Sequence, residues 1–241
     1  MSVTFSGEHD FNEGAVIIID KPLGWTSFDV VKKIKFNLRK YYGFKKIKVG
    51  HAGTLDPLAT GVLVVCTGRM TKQIDGLMSE GKEYTGSIKF GVTTPSFDAE
   101  TEEQGNFETS HLSLENIREA TSHFKGEILQ VPPIYSAKKI DGKRAYEHAR
   151  GGTEVKMRTN LVEVMEFEIL NFEDNVADFK IRCGKGTYIR SLANDLGKHL
   201  NSGAYLTSLR RTESGKFKAS EAFSIDDIIN YFKEDSAKSK S

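Results

Sequence analysis

An α+β fold is what this sequence predicts, on three observations. The run Ala15, Val16, Ile17, Ile18, Ile19 is apolar and largely β-branched, the composition of a buried strand. Ala177, Phe179, Ile181 and Cys183 alternate with Asp178, Lys180 and Arg182, the period of a half-buried strand. Val30, Val31, Ile34, Leu38 and Tyr41 recur at helical spacing and leave Lys32, Lys33, Lys35, Arg39 and Lys40 mostly on the other face. Strands and helices alternate irregularly along the 241 residues, and periodicity says no more than that.

In chain order, residues 1–12 are polar and without a period, and are expected to be poorly ordered or to lie along the surface. The strand at 15–19 ends at Asp20, Lys21, Pro22, Leu23 and Gly24, a turn by composition. Ser27 is placed to cap the following helix, with Asp29 in its first turn. A strand over 62–66 precedes a short helix over 69–78. A phosphate-binding loop fails here, because Gly61 and Gly68 have the wrong separation and Met70 follows Arg69. Residues 83–92 read as a strand with Tyr84, Ile88 and Phe90 on one face, and 95–110 as an acidic loop. Ser113 starts a helix that uses Leu114, Ile117, Thr121 and Phe124.

Pro132 and Pro133 exclude a central strand, since each removes a ladder donor. The segment that follows is basic, bears aromatic residues, and closes at Gly151 and Gly152. It suits either an arm near 132–152 over an RNA groove or an ordinary surface loop. The strand at 177–183 turns into a helix with an apolar face of Ile189, Leu192, Ala193, Leu196 and Leu200, and 203–211 returns as a strand. Ser224 begins a last short helix with Ile228, Ile229 and Phe232 inward. The expectation is one domain over 1–232 and a disordered tail over 233–241.

The net charge of +1 conceals an uneven distribution. Between residues 30 and 50 stand eight lysines and arginines and no acid, whereas 98–127 hold eight acids against Arg118 and Lys125. Such a chain fits either a protein that meets a polyanion on one face or one whose basic run is an ordinary solvated helix face. Cys66 and Cys183 sit in apolar runs and read as core residues of a reducing compartment. No metal-ligand spacing, secretory leader or apolar run of roughly 20 residues occurs. The expectation is a cytoplasmic protein with neither metal nor cofactor.

The stretch with chemical potential is 51–61. Pro57 biases Asp56 away from helical dihedrals. Gly53 and Gly61 permit tight turns or close backbone approach. From Gly50 to Gly61 it fills every position of the pseudouridine synthase signature G-H-x-G-x-L-D-P-x-A-x-G. Lys21, Pro22, Gly24, Thr26 and Ser27 match K-P-x-G-x-[ST]-S. A segment with Pro133, Tyr135, Ser136, Ala137 and Lys138, and then Lys185, Gly186, Thr187, Tyr188, Ile189 and Arg190, follow in order. Over about residues 13–215 the chain resembles the bacterial TruB-type tRNA pseudouridine synthases, which isomerise the T-arm uridine at tRNA position 55.

The resemblance implies a mixed, mainly antiparallel sheet flanked by helices, with an inserted basic RNA-binding arm. It implies that Asp56 is the essential carboxylate, acting on C1′, on the base, or on the C2′ proton. Arg190 would pair with it, and an arginine about 3–4 Å away keeps a carboxylate ionised and aimed. Tyr84 would stack on the flipped uracil and assist loss of the C5 proton, Tyr188 and Leu209 would line the pocket, and His51 would fill the vacated stack. The motif of Lys21 would pack beside the catalytic loop. The implied partner is the T-arm stem-loop of tRNA, met by a monomer without an obligatory protein partner. One departure is that many members carry a C-terminal RNA-binding domain of the PUA type, for which this chain ends too soon. Two other readings stay open: a non-catalytic tRNA-binding or RNA-remodelling protein, and a pseudouridine synthase for another RNA.

Overall fold

The computed structural model describes residues 10–135, 139–140, 143–144 and 157–238. The chain clusters into two units, Met1–Lys82 with Arg210–Ser241, and Glu83–Leu209. The elements in order are β1 (Val16–Lys21), α1 (Ser27–Tyr42), β2 (Val49–His51), β3 (Ala59–Thr67) and α2 (Ile74–Ser79). Then come β4 (Lys82–Phe90), α3 (Leu114–Thr121), β5 (Gly126–Gln130), β6 (Lys139–Ile140) and β7 (Lys143–Arg144). The last are β8 (Asn160–Glu173), β9 (Val176–Cys183), α4 (Ile189–His199), β10 (Ala204–Ser214), β11 (Phe217–Lys218) and α5 (Ile225–Lys238).

In the first unit, β1 runs antiparallel to β3, with Val16 opposite Cys66 and Lys21 opposite Gly61. Ile17, Ile19, Leu63 and Val65 form one face and pack in a core with Val30, Ile34 and Leu38 of α1 and Ile228 and Phe232 of α5. Val16, Ile18, Val62, Val64 and Cys66 form the other and pack against Phe217, Met70, Ile74 and Leu77. Burial on both faces explains why this sequence is continuously apolar instead of alternating. Strand β3 is paired by β1 and β10, and toward its end by β2. At Gly61, φ is 99° and a Cβ would stand 2.2 Å from the carbonyl oxygen of Arg211, so only glycine permits this approach of β10.

In the second unit the strand order is β10-β4-β9-β8-β5, and β6 and β7 form a separate antiparallel two-stranded sheet. The pairs β5–β8 and β8–β9 are antiparallel, with register shifts near Val164 and Ile169. Isolated parallel bridges outside the strand pairings join Ile19 to Phe223 and Asp98 to Leu206. The α+β class is borne out.

Four local expectations change. The cap of α1 is Thr26, whose hydroxyl accepts from the Asp29 N–H while the Asp29 carboxylate accepts from the Thr26 N–H. Ser27 is buried and used elsewhere. Asp20 and Lys21 continue β1 because Lys21 still pairs across to Gly61. The last helix extends to Lys238, past the expected start of disorder at 233, because Tyr42 donates to Asp235 at 2.7 Å and Ser236 is buried. The long strand β8 was not anticipated. Of the expected arm over 132–152, residues 136–138, 141–142 and 145–152 lie outside the described residues.

Candidate active site

The loop bearing Asp56 is held from beneath by the motif that precedes α1. The Ser27 hydroxyl accepts from the Leu55 N–H at 2.8 Å and donates to the Leu55 carbonyl at 3.1 Å. The Pro57 carbonyl accepts from the Gly24 N–H at 2.9 Å and from the Lys21 ammonium at 3.3 Å. Asp56 is thus flanked on both sides by anchored residues, and its own carbonyl accepts from the Ala59 N–H at 3.0 Å to close the turn into β3. The expectation that the Lys21 motif packs beside this loop is met in detail.

Lys21 is fully buried and also donates to the carbonyls of Trp25 at 2.6 Å and Pro22 at 3.0 Å. Burial pushes its ammonium down to about 8, opposed by the attraction of the Asp56 carboxylate and reinforced by the Arg211 cation. Its charge is therefore adjacent to Asp56 while its donors are committed to backbone. Lys21 acts here as a support of the loop, whatever contact it makes with a ligand.

Arg211 is a second buried cation under the same loop, 1% exposed, and the motif reading missed it. Its Nε donates to the Val62 carbonyl at 2.7 Å and its Nη2 to the Gly53 carbonyl at 3.1 Å. Gly53 has φ 98°, and a Cβ there would lie 3.3 Å from Nη1 of Arg211. Burial, with Arg211 next, holds the His51 imidazole below its ordinary range, so it is neutral near pH 7. Its Nδ1 is buried without a hydrogen-bond partner among the described residues.

The remaining candidates belong to the second unit. Tyr84 is buried in β4, and Leu209 is half-buried near the middle of β10. Tyr188 precedes α4, its N–H donating to Gln130 Oε1 at 2.8 Å and its carbonyl accepting from Gln130 Nε2 at 3.1 Å. Arg190, 3% exposed in the first turn of α4, donates from Nη1 to the Ser96 carbonyl at 3.1 Å and lies 3.4 Å from Asp98. Asp98 is itself 4% exposed, its Oδ1 accepts from the Glu100 N–H, and its neighbour Phe97 has φ 63°. A strained backbone held by Thr94 and Ser96 hydroxyls on the Asp98 carbonyl is a built feature of this loop. Nothing in the acidic composition of 95–110 marked Asp98 as different from its neighbours. Period-two counting from Leu209 along β10 would have singled out Arg211.

Comparison with known proteins decides the family. The model of the TruB family pseudouridylate synthase (N terminal domain) matches residues 39–189, and that of the tRNA pseudouridylate synthase B C-terminal domain matches 190–240. The chain belongs to the TruB family. A tRNA pseudouridine synthase B from Flavobacterium johnsoniae is 50% identical over 217 residues, covering 90% of this chain and 95% of its own. One from Phocaeicola vulgatus is 49% identical over 219 residues, covering 90% and 92%. Among solved structures, a crystal structure of a Cbf5-Nop10-Gar1 complex aligns with a TM-score of 0.69 at 29% identity, over 94% of this chain and 60% of that one. As a TruB-family member the chain is a pseudouridine synthase, with the pseudouridine synthase fold. No helix among the described residues is long and apolar enough to cross a membrane.

Proposed function

We propose that this protein converts uridine to pseudouridine at position 55 in the T arm of tRNA, with Asp56 as the essential catalytic group. The observation that carries the reading is the double anchoring of the Asp56 loop by Ser27, Gly24 and Lys21, in a chain whose relatives are tRNA pseudouridine synthases. The reaction breaks the C1′–N1 bond, turns the uracil, forms a C1′–C5 bond, and releases the C5 proton while N1 takes one up. Electrons balance without an oxidant, reductant or energy source, so a carboxylate and a shaped pocket suffice. A rigid loop suits that task, because a misplacement of about 1 Å costs on the order of a hundredfold in rate.

In this reading Arg190 pairs with Asp56 and keeps it ionised. Tyr84 stacks on the extruded uracil and assists C5 deprotonation, Tyr188 and Leu209 line the pocket, and neutral His51 fills the vacated stack. Extrusion of a base costs a few kcal/mol, which these contacts offset. The protein acts as a monomer in the cytoplasm. Mapping pseudouridine by carbodiimide modification and primer extension on tRNA incubated with the protein tests the site: a stop at position 55 is expected. Modification confined to another position, or to another RNA, would refute the T-arm assignment.

A further inference from the structure

Seven of the eight cations in the basic run shared by α1 and the segment before β2 fall into two sets, and Lys33 belongs to neither. Lys32 lies 4.4 Å from the ring centre of Phe28, and Lys40 lies 5.1 Å from that of Tyr41. Lys35, Arg39, Lys45, Lys46 and Lys48 instead converge with Lys72, from the turn after β3, on a groove of about 670 Å³. All six are exposed, and none forms a side-chain hydrogen bond or ion pair among the described residues. Arg69 also lines the groove and pairs with Glu13 at 2.9 Å, but both are largely exposed, so this pair is worth at most about 1 kcal/mol.

The frame of the groove is rigid: Val49 pairs with Thr67, and the Gly68 N–H donates to the Lys48 carbonyl at 2.9 Å. Its floor residue Ile47 is only 5% exposed, so the surface offers charge without the apolar anchors that protein partners bury. Unneutralised cations in a concavity repel one another and focus a field that a polyanion relieves. The groove lies beyond the end of β3, whereas Asp56 adjoins its start at Ala59. A strand of this length spans up to about 26 Å, roughly seven or eight nucleotides at ~3.4 Å each. Phosphates that reach this groove while a base sits at Asp56 are therefore about seven or eight nucleotides away along the backbone.

We infer that this groove grips the phosphate backbone of the tRNA outside the T arm, as a sequence-independent second contact while the T loop lies at Asp56. The inference rests on tRNA being the substrate. The test substitutes K45Q, K46Q, K48Q and K72Q together and compares full-length tRNA with an isolated T-arm stem-loop, for both binding and turnover. For full-length tRNA at low salt the Kd is expected to rise about tenfold, and the slope of log affinity against log salt to shrink by about 3. Binding and turnover of the stem-loop stay at the wild-type level, which also reports an intact fold. Equal losses on both RNAs at an unchanged melting temperature, or no loss on either, would overturn the inference. If the quadruple variant melts lower, the single K46E exchange, which removes no packing, gives the same comparison. Failure of the wild type to modify either RNA would count against the proposed activity itself, independently of the groove.

Discussion

Lys21 is expected from its motif beside the Asp56 loop, and the structure supplies the contacts that hold it there. The motif flagged it beside the Asp56 loop, but only the structure gives it three carbonyl acceptors and full burial. Folded, its ammonium loses a proton near pH 8; unfolded, near the ordinary 10.5. Between these values the unfolded chain holds more protons, so stability rises with pH from 8 to 10.5, by up to about 3 kcal/mol. Urea unfolding of wild type and K21M across that window checks this. The wild-type advantage should grow with pH, and parallel curves would contradict the assignment. Arg211, equally buried and equally close to the loop, lies outside every motif, and only the strand's period of two separates it from its half-exposed neighbour Arg210.

Among the elements, α1 was legible in its apolar face and misread at its start. Thr26 and Ser27 are both good caps by residue type, and what separates them is tertiary: Leu55 occupies the Ser27 hydroxyl. The two positions should therefore separate in experiment. T26A loses a cap worth about 1 kcal/mol and leaves kcat unchanged. S27A leaves two backbone groups unpaired, costs about 2–3 kcal/mol, and loosens the residue before Asp56, so kcat falls while KM for tRNA holds. Equal kcat in both variants would show that the loop does not depend on this anchor. The end of α5 was hidden by its polar composition, because Asp235 and Ser236 earn their order from Tyr42 and from burial instead of from apolar periodicity. Truncation after Phe232 should lower the melting temperature by about 4 °C; no change would restore the disordered tail.

At the scale of the molecule, class and family were legible because motifs and periodicity agree along the chain. Strand β8 was not, although Val162, Val164, Phe167 and Ile169 are buried in it. Its outward positions include Leu161, Met165 and Leu170, which blur the alternation, and two register shifts break the period. The charge segregation was legible as two blocks, basic over 30–50 and acidic over 98–127. Which basic residues form one groove depends on the β2–β3 pairing, which three residues of strand could not announce. On the proposed function, Asp56 drives an isomerisation that strips the hydrogen from C5 of a tRNA uridine. Tritium release from tRNA carrying 5-tritiated uridine measures that loss directly. Wild-type protein should release tritium in proportion to the tRNA supplied, and D56N, with tRNA affinity nearly unchanged, should be slower by about a thousandfold or more, on the order of 4 kcal/mol in the barrier. Release by D56N near the wild-type rate, or none from the wild type despite tight binding, would contradict the account.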